Sequence, residues 1–573
     1  MKNYKIKILF FISLFFIFGF GGVFEVKAFS EGELRSFYID SSYDLYAREN
    51  IETYLIRTTD SLYFYIEKTW WDSRSLQEQN DIRIALFDLG GEFKNKVYPV
   101  LTSNFGQEWR PGIDGDGRIT VLSHQMVKGR VGYFRTNDQY YKFQTYDSNE
   151  REMVYLNSDF ITSPLLKSLL AHEFTHLITF NQKNKIRGVE EEVWLNEARA
   201  EYAPTLLGYD SEYQGSNLER RVQEFLKSPS DSITEWQGNS ADYGALNLFT
   251  QYLVDHYGVA ILRDSLQSSE IGIASINSAL RKNGFQEDFS QIFTNWTIAV
   301  LVNDCSLGNK YCYKNQNLKS LKIVPGSNFI PTTIESSLSV YSQIKDWSAR
   351  WQRIFGGKGD LTLKFNGKEG VKFRVPYVLC DYSNKCVVKF FNLDEQQKGE
   401  IIFPEFSSKY SSLTLIPSVQ NKLSGFTGSD PAYLFSWETR IKESSKDNPE
   451  LIEKLLAQID YLQKEIARLR AEINAILSGQ TPAYSCTEIR SNLYFGMRDN
   501  QEVRCLQEFL KSRGSEIYPE GLVTGNFLSL TGEAVIRFQG KYASEILAPL
   551  GLKGGTGYVG AATRSKINQL IGF

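Results

Sequence analysis

Two histidines, His172 and His176, have the residue type and the spacing that metal chemistry requires. They bound the sequence His-Glu-Phe-Thr-His. Residues spaced in this way lie on one face of an α-helix, so both imidazoles can bind one ion. Glu173 lies about 100° further around that helix and can hold a water molecule beside the ion. Glu197, in the later sequence Trp-Leu-Asn-Glu, can add a carboxylate ligand. Three protein ligands with a fourth position open to water form a catalytic zinc site.

The surrounding residues predict the two helices that must position these side chains. The apolar run 165–180 indicates a buried helix that begins after the Ser-Pro pair at 163–164, a good N-cap and first helical residue. The range 190–206 predicts a second, amphipathic helix. On that helix Glu201 follows Glu197 by one turn. Glu201 is therefore placed to accept the free ring N–H of a ligating histidine.

The alternative for the two histidines is a buried, hydrogen-bonded pair without a metal, because short motifs recur by chance. The chain contains only 4 histidines, and two of them lie in this stretch. The downstream Asn-Glu-x-x-x-Glu sequence has the spacing that a third ligand and its supporting carboxylate require. Both segments also have a helical pattern of apolar residues. These observations favour the zinc site.

The two segments together resemble the gluzincin metallopeptidases, and in particular the hyicolysin-like secreted peptidases. The resemblance rests on His-Glu-Phe-Thr-His followed by Trp-Leu-Asn-Glu-Ala-Arg-Ala-Glu-Tyr, and it extends over residues 119–303. Ala198 stands where many members have glycine, a change that leaves the ligands intact. Position by position, the resemblance implies zinc ligation by His172, His176 and Glu197, general-base catalysis by Glu173, and support of a ligand by Glu201.

Three short runs before the predicted active-site helix have the pattern of strands: residues 119–122, 131–134 and 153–156. In gluzincins a small sheet precedes this helix, and its antiparallel edge strand binds an extended peptide through main-chain hydrogen bonds. The resemblance therefore implies an α+β peptidase domain with an edge strand near 131–135. Upstream of these strands, helices are predicted over 48–70 and 92–101.

A tyrosine near the start of a third predicted helix is a candidate to stabilise the transition state. Tyr243 lies in Asp-Tyr-Gly-Ala, which opens an apolar run to Tyr257. Related aminopeptidases have a tyrosine before Lys-Gly-Ala that donates to the tetrahedral oxyanion; this chain lacks the lysine but keeps the neutral phenol donor. The alternatives are a buried tyrosine at a helix start, or a role for His124 or His256. The chain has no Gly-x-Met-x-Asn stretch, so the resemblance favours an endopeptidase over an aminopeptidase.

The sequence Ile-Asp-Gly-Asp-Gly-Arg around Asp114 is similar to a calcium-binding loop. An EF-hand loop needs a bidentate glutamate at its twelfth position, where this chain has Gln125. Arg118 also occupies a position that a ligand would need. A tight turn that leads into the strand at 119–122 is therefore favoured over calcium binding.

Length and composition indicate several folded domains, and the helical and strand patterns along the chain predict a multidomain α+β protein. The chain has 573 residues, 42% of them hydrophobic, and its net charge of −3 gives no reason to expect a nucleic-acid partner. Lysines precede an apolar run at 8–24, the pattern of a secretory signal peptide that is cleaved after Ala28; the alternative is an uncleaved membrane anchor. The predicted division is a signal peptide at 1–28, a metallopeptidase domain at 29–320, a β-sandwich at 321–440, a coiled-coil helix at 448–478 and a small helical domain at 483–573.

The 6 cysteines fall into three local pairs: Cys305/Cys312, Cys380/Cys386 and Cys486/Cys505. Disulfides between neighbours are the simplest arrangement, although six cysteines permit other pairings. Disulfides are typical of an oxidising compartment, which agrees with export. None of the cysteines has a histidine at metal-ligand spacing, so they do not indicate a zinc cluster.

Two later ranges have patterns with structural meaning. Residues 448–478 repeat apolar side chains in heptads, with isoleucine at position a and mainly leucine at position d. This pattern favours a parallel two-stranded coiled coil, through which the chain could form a homodimer. The alternative is a single helix that packs on its own domain or acts as a spacer.

In 321–440, short alternating runs split by Gly, Asn and Asp predict a β-sandwich, with no recognisable site.

The range 483–573 resembles a peptidoglycan-binding domain of the three-helix type. The resemblance rests on Leu-Gln at 506–507, Thr-Gly-Asn-Phe at 524–527, Phe-Gln at 538–539 and Gly-Tyr-Val-Gly at 557–560. An insertion at 541–555 is longer than such domains usually have. The alternative is an unspecialised helical bundle. The resemblance implies that this domain binds the bacterial cell wall.

Together these features predict a secreted, zinc-dependent endopeptidase that is held at a bacterial cell wall. Zn²⁺ is the expected cofactor, and the expected partners are a protein or peptide substrate, peptidoglycan and a second copy of the chain. Two other functions stay open. One is a non-catalytic wall-binding scaffold or adhesin, and the other is a hydrolase of peptidoglycan cross-bridge peptides.

Overall fold

The computed structural model describes residues 30–333, 335–426, 428–442, 458–460, 462–463, 466 and 488–572. Contacts between Cα atoms divide the chain into two units: Met1–Glu191 with Leu266–Ser269, and Glu192–Ser265 with Glu270–Phe573. The predicted signal peptide at 1–28 lies outside the described residues, as does most of the predicted coiled-coil helix at 448–478.

A mixed sheet is the centre of the first unit. Its described strands are β1 (Leu34–Tyr38), β2 (Asn50–Thr58), β3 (Leu62–Glu67), β4 (Ile119–His124), β5 (Gly132–Tyr133) and β6 (Met153–Asn157). Their spatial order is β1-β2-β3-β4-β6-β5. Strands β3, β4 and β6 are parallel, whereas β5 is antiparallel to β6 and lies at an edge. The three strands predicted before the active-site helix are confirmed, and so is the edge strand near 131–135.

The prediction of a helix over 48–70 is wrong, because this segment forms β2, β3 and only a short helix, α1 (Lys68–Asp72). Alternate residues of β2 face the core, and among them Ile51 and Leu55 are buried. This period of two is the pattern of a strand, and Asp60 and Ser61 form the turn into β3. The predicted helix over 92–101 is confirmed as a π-helical turn, Phe93–Val97, that continues into α3 (Tyr98–Phe105).

The first unit also contains α2 (Leu76–Glu92) and α4 (Leu166–Phe180), the predicted active-site helix. Helix α4 packs against β5 and β6. Its Phe174 is fully buried, with its ring 5.0 Å from that of Phe93. Truncation of a phenylalanine that is buried in this way costs about 3–5 kcal/mol, so this contact contributes to the packing of α4 in the first unit. The predicted Ser163 cap needs correction: the helix starts at Leu166, and the Ser163 Oγ accepts the Leu165 N–H at 3.2 Å.

The second unit is helical from Val193 to Val302. Its described helices are α5 (Val193–Leu206), α6 (Asn217–Lys227), α7 (Ser240–Tyr257), α8 (Ala260–Leu266), α9 (Gly272–Lys282) and α10 (Phe289–Val302). Helices α5 and α6 both pack against α7. The predicted second helix is confirmed, but it begins at Val193 rather than at 190. The predicted helix up to Tyr257 is also confirmed, and a reciprocal Asn239–Asp242 capping box starts it.

Strands dominate from 326 to 442, as predicted for 321–440. They are β7 (Gly326–Ile330), β8 (Glu335–Lys345), β9 (Gln352–Gly356), β10 (Asp360–Gly367), β11 (Phe373–Arg374), β12 (Pro376–Cys380), β13 (Cys386–Phe390), β14 (Lys398–Phe403), β15 (Ser412–Leu415), β16 (Ser418–Val419) and β17 (Ala432–Lys442), with a short helix α11 (Phe406–Lys409). One described sheet has the order β14-β10-β17-β8 and another the order β13-β12-β15-β9-β7. Both contribute side chains to one hydrophobic core, such as Phe365 and Trp437 from the first sheet and Leu413 from the second.

The C-terminal module, residues 488–572, has its own hydrophobic core. Its described helices are α12 (Gln501–Ser512), α13 (Ser529–Lys541), α14 (Ala543–Ile546) and α15 (Ala561–Ile571). With the sheets and helices above, this confirms a multidomain α+β protein. Within the described ranges, no helix has the length and apolar character needed to cross a membrane.

Two of the three predicted disulfides are confirmed, Cys305–Cys312 and Cys380–Cys386. The second joins β12 to β13 at the residue pair where the two strands meet in register. Cys505 is disulfide-bonded, whereas Cys486 lies outside the described residues. Disulfides of this kind fit an extracellular protein.

Candidate metal centre

His172 and His176 lie on one face of α4, and their Nε2 atoms are 3.2 Å apart. A tetrahedral zinc ion with bonds of 2.0–2.1 Å needs two nitrogen ligands separated by about 3.3 Å. The two imidazoles therefore already have the separation that a shared ion requires. His176 is only 6% exposed, and the Phe134 ring lies nearly parallel to it at 6.4 Å. An apolar wall of this kind strengthens electrostatic interactions at the site.

Glu197, on α5, supplies the carboxylate of the same group. His172, His176 and Glu197 each offer one ligand atom, and these three atoms all lie within 4.8 Å of one another. In the part of the chain that the structure describes, this is the one such group of histidine, cysteine or acidic residues. Two imidazoles and one carboxylate are a known donor set of catalytic zinc sites, so the residues present fit the metal that the sequence predicts.

Glu173 follows His172 directly and is 4% exposed. Its carboxylate lies against the edge strand β5: a Cβ atom built on Gly132 would be 2.7 Å from the Glu173 Oε1. The structure thus places the predicted base beside the strand for which the sequence predicts substrate binding. Its role as a base stays a prediction.

Glu201, one turn after Glu197 on α5, is 1% exposed and is held by a guanidinium group. Arg221, on α6, donates from Nη2 to Oε1 at 2.6 Å and from Nε to Oε2 at 2.8 Å. The amides of Asn217 and Asn247 also donate to Oε2, at 3.2 and 3.1 Å. Burial alone lowers the pKa of Arg221, but the Glu201 carboxylate raises that pKa above its ordinary value. The pair is therefore a charged, two-pronged ion pair. Support of a ligating histidine by Glu201 stays a prediction.

Tyr243 lies in the first turn of α7 and is half-buried. The Arg221 guanidinium covers one face of its ring at 4.3 Å, and the Trp236 ring meets it edge-on at 4.8 Å. One guanidinium thus contacts both Glu201 and Tyr243. Sequence reasoning missed Arg221, because it lies in a separate helix and belongs to no local motif. The oxyanion role of Tyr243 stays a prediction.

The other two histidines have structural surroundings. His124 is fully buried at the end of β4, where its Nδ1 is 3.3 Å from Asp44 and its Nε2 is 3.1 Å from the Tyr133 hydroxyl. The His256 Nε2 lies 2.8 Å from the Cys312 carbonyl, and burial lowers the pKa of His256 to about 4. Hydrogen bonds to neighbouring groups of the fold explain the position of each imidazole, so neither alternative to Tyr243 gains support.

The loop at Asp114 forms the tight turn that was favoured over calcium binding. The Asp114 Oδ1 accepts the Asp116 N–H at 2.9 Å, and the Asp116 Oδ1 accepts the Arg118 N–H at 3.0 Å. These are two successive turns made by aspartate side chains, and they lead directly into β4. The Asp116 Oδ2 also accepts the Tyr63 hydroxyl at 2.7 Å, which ties the loop to β3.

Two buried glutamines hold equivalent loops in the C-terminal module. The Gln507 Oε1 accepts the N–H groups 17 and 18 residues later, and its Nε2 donates to a carbonyl 19 residues later and a threonine hydroxyl 24 residues later. Gln539 makes the same four hydrogen bonds at the same separations of 17, 18, 19 and 24 residues. The partners are Thr524, Gly525, Asn526 and Thr531 for the first loop, and Thr556, Gly557, Tyr558 and Thr563 for the second. The motifs that carry the wall-binding resemblance are therefore two copies of one structural unit.

No protein-family model matches this chain, and no curated protein matches it. Several solved structures are similar to parts of it. The pre-peptidase C-terminal domain of a collagenase from Bacillus anthracis has 8% identity and a TM-score of 0.15, over 20% of this chain and 96% of that one. CorA, a surface-associated copper-binding protein of Methylomicrobium album BG8, has 12% identity and a TM-score of 0.14, over 20% of this chain and 98% of that one. A family GH115 4-O-methyl-α-glucuronidase has 9% identity and a TM-score of 0.13, over 60% of this chain and 54% of that one. Because these TM-scores are low, the likenesses carry no argument about fold or function.

Proposed function

We propose that this protein is an exported, zinc-dependent endopeptidase of the gluzincin type, retained at a bacterial cell wall by its C-terminal module. The observation that carries the proposal is the set His172, His176 and Glu197, whose ligand atoms lie within 4.8 Å of one another. Glu173, the predicted base, is next to one of these ligands in the same helix. Two imidazoles, a carboxylate ligand and an adjacent carboxylate base are a set of groups that zinc-assisted hydrolysis of a peptide bond uses.

The residues of the chain have separate roles in this reaction. When bound, Zn²⁺ supplies a Lewis acid and lowers the pKa of a water molecule. Glu173 accepts a proton from the attacking water and transfers it to the departing amine. Tyr243 donates a hydrogen bond from its phenol to the oxygen that becomes negative. Glu201 orients a ligating imidazole. Arg221 balances the charge of Glu201 and packs on the ring of Tyr243.

The edge strand β5 can bind an extended peptide segment through main-chain hydrogen bonds. The Val131 carbonyl accepts the Asn157 N–H at 2.9 Å, so the polar groups of Val131 face β6. Alternate residues of a strand direct their main-chain groups to opposite sides, which leaves those of Gly132 directed to the open edge. A substrate that pairs with this edge would lie beside Glu173 without a requirement for one particular side chain. This supports an endopeptidase that acts on unfolded protein.

Replacement of Glu173 by glutamine tests the catalytic role. Glu173→Gln keeps the shape of the side chain but cannot accept a proton, so hydrolysis of labelled casein should fall by about 100- to 10,000-fold. Zinc content, measured by elemental analysis, should stay at the wild-type level. Glu190→Gln is the matched control, because Glu190 is an exposed carboxylate. Full turnover by Glu173→Gln would refute the assigned role.

A hydrolase of peptidoglycan cross-bridge peptides is the second candidate, and the C-terminal module favours it. The duplicated glutamine-held loops contain the motifs that resemble a wall-binding domain. Incubation with purified sacculi, followed by measurement of newly released amines, separates this function from general proteolysis. A non-catalytic scaffold or adhesin would degrade neither casein nor sacculi, with or without a chelator. The homodimer through 448–478 stays a separate prediction.

A further inference from the structure

Gly132, in the edge strand β5, is in close contact with the predicted base. A Cβ atom at this position would lie 2.7 Å from the Glu173 Oε1 and 2.9 Å from the Tyr155 carbonyl oxygen. Both distances are shorter than the distances that Cβ atoms in proteins keep from atoms to which they are not bonded. The backbone at Gly132 does not have a positive φ, so conformation alone does not require glycine here. The requirement comes from the space that the Glu173 carboxylate and the Tyr155 carbonyl oxygen occupy.

The strand itself has little freedom to move away from Glu173. Tyr133, the next residue, is 6% exposed, and its ring is stacked on that of Tyr155 at 4.3 Å. The Tyr133 hydroxyl is 3.1 Å from the His124 Nε2 and accepts the Asp40 N–H at 3.2 Å. On the other side of Gly132, the Asn157 side chain donates to the Arg130 carbonyl at 2.9 Å. The strand is therefore held on both sides of Gly132.

We infer that Gly132 is a positioning residue, which sets the place of the Glu173 carboxylate for proton transfer. This inference rests on the proposed function. A methyl group at 132 would meet a fixed strand on one side and the end of a flexible glutamate on the other. The carboxylate would therefore be the group that shifts. A displacement of about 1 Å in a catalytic group costs about 100-fold in rate.

The test is Gly132→Ala in the full-length protein, with casein as substrate. We expect kcat to fall about 100-fold, with KM and zinc content close to those of the wild type. Gly91→Ala is the matched control, because a Cβ at Gly91 has nothing within 4 Å and the backbone has no positive φ. This control should leave kcat unchanged. An unchanged kcat in Gly132→Ala would overturn the inference.

A second measurement does not depend on activity. In urea unfolding, Gly132→Ala should lower the midpoint in the wild-type background and lower it less in a Glu173→Ala background, where the carboxylate is gone. The fall in the urea midpoint that remains in the Glu173→Ala background measures the contact between the new methyl group and the Tyr155 carbonyl oxygen. Equal losses in both backgrounds would show that Glu173 does not meet residue 132, and would overturn the inference. If the wild-type chain degrades no substrate, the proposed function fails. The difference between the two urea experiments would still show whether residue 132 contacts Glu173.

Discussion

At the scale of single residues, Arg221 balances a charge that the fold has buried. Glu201 is 1% exposed and Arg221 is 5% exposed, and their two parallel hydrogen bonds compensate the loss of hydration. The guanidinium also covers the ring of Tyr243 at 4.3 Å. One arginine therefore supports two of the predicted site residues. A lysine could not do so, because it lacks both the planar face and the fork.

Replacement of this arginine should cost stability as well as activity. Arg221→Leu leaves the carboxylate of Glu201 without its balancing charge, so the free energy of unfolding should fall by about 3–5 kcal/mol in urea denaturation. Lys227→Ala, an exposed change on the same helix α6, should shift it by at most about 0.5 kcal/mol. If Arg221→Leu lowers the free energy of unfolding no more than Lys227→Ala does, the stabilising role of the Arg221–Glu201 ion pair is contradicted.

The site residues that the sequence could predict are those that belong to a short motif with regular spacing. The spacing of His172, Glu173 and His176 follows from helix geometry, and the sequence reports it directly. Arg221 and Gly132 have no such signal, since their partners are far away in the chain. Arginine and glycine occur throughout this sequence, and only packing shows which of them a carboxylate contacts.

At the scale of elements, the loop before β4 closes over a buried acid. Glu152, just before β6, is 3% exposed, and its Oε1 accepts the Ile113 N–H at 3.1 Å. Gly112 approaches so closely that a Cβ there would lie 1.7 Å from the Glu152 Oε2. Burial, followed by the proximity of Asp114, raises the pKa of Glu152 from 4.5 to about 8. The loop therefore encloses a carboxyl group that keeps its proton at neutral pH.

This carboxyl group gives a pH dependence with a definite sign. The unfolded chain releases the proton near pH 4.5, whereas the folded chain holds it up to about pH 8. Folding therefore becomes less favourable as the pH rises through this window, by a few kcal/mol at most. Glu152→Gln should remove this loss, so the variant should be more stable than the wild type at pH 8. Identical slopes of unfolding free energy against pH in the two proteins would contradict the assignment.

Element prediction succeeded where one pattern dominated a segment. The apolar run of α4 and the apolar run of α7 that ends at Tyr257 both have a clear helical pattern. The failure over 48–70 has a physical cause: its many aromatic residues suit either a helix or a strand. The alternation of Ile51 and Leu55 and the turn at 60–61 were the local signals for strands. The correct choice depends on pairing with β1 and β4, which is a tertiary effect.

At the scale of the whole molecule, hydrolysis and retention at the wall are assigned to different parts of the chain. The proposed catalytic residues all precede 320, whereas the C-terminal module has a separate core. The motifs of that module were visible in the sequence, but their duplication was not recognised. The signal was available, because Gln507 and Gln539 are each followed by Thr-Gly and then by threonine at the same separations.

Removal of the C-terminal module tests this division. A chain that ends before 483 should hydrolyse soluble casein at the wild-type rate, because the proposed site lies elsewhere. It should no longer sediment with purified peptidoglycan sacculi, whereas the full-length protein should. Glu173→Gln in the full chain is the reciprocal control, since it should sediment without hydrolysing. Sedimentation of the truncated chain with sacculi would contradict wall binding by the module.

The central claim is that His172, His176 and Glu197 bind one zinc ion. The most direct measurement is anomalous diffraction at the zinc edge from crystals of the full-length protein grown with one equivalent of zinc. The account predicts one strong peak at about 2.0–2.2 Å from the Nε2 atoms of both histidines and from a carboxylate oxygen of Glu197. No peak at these residues, or a peak with Glu197 beyond bonding distance, would contradict it.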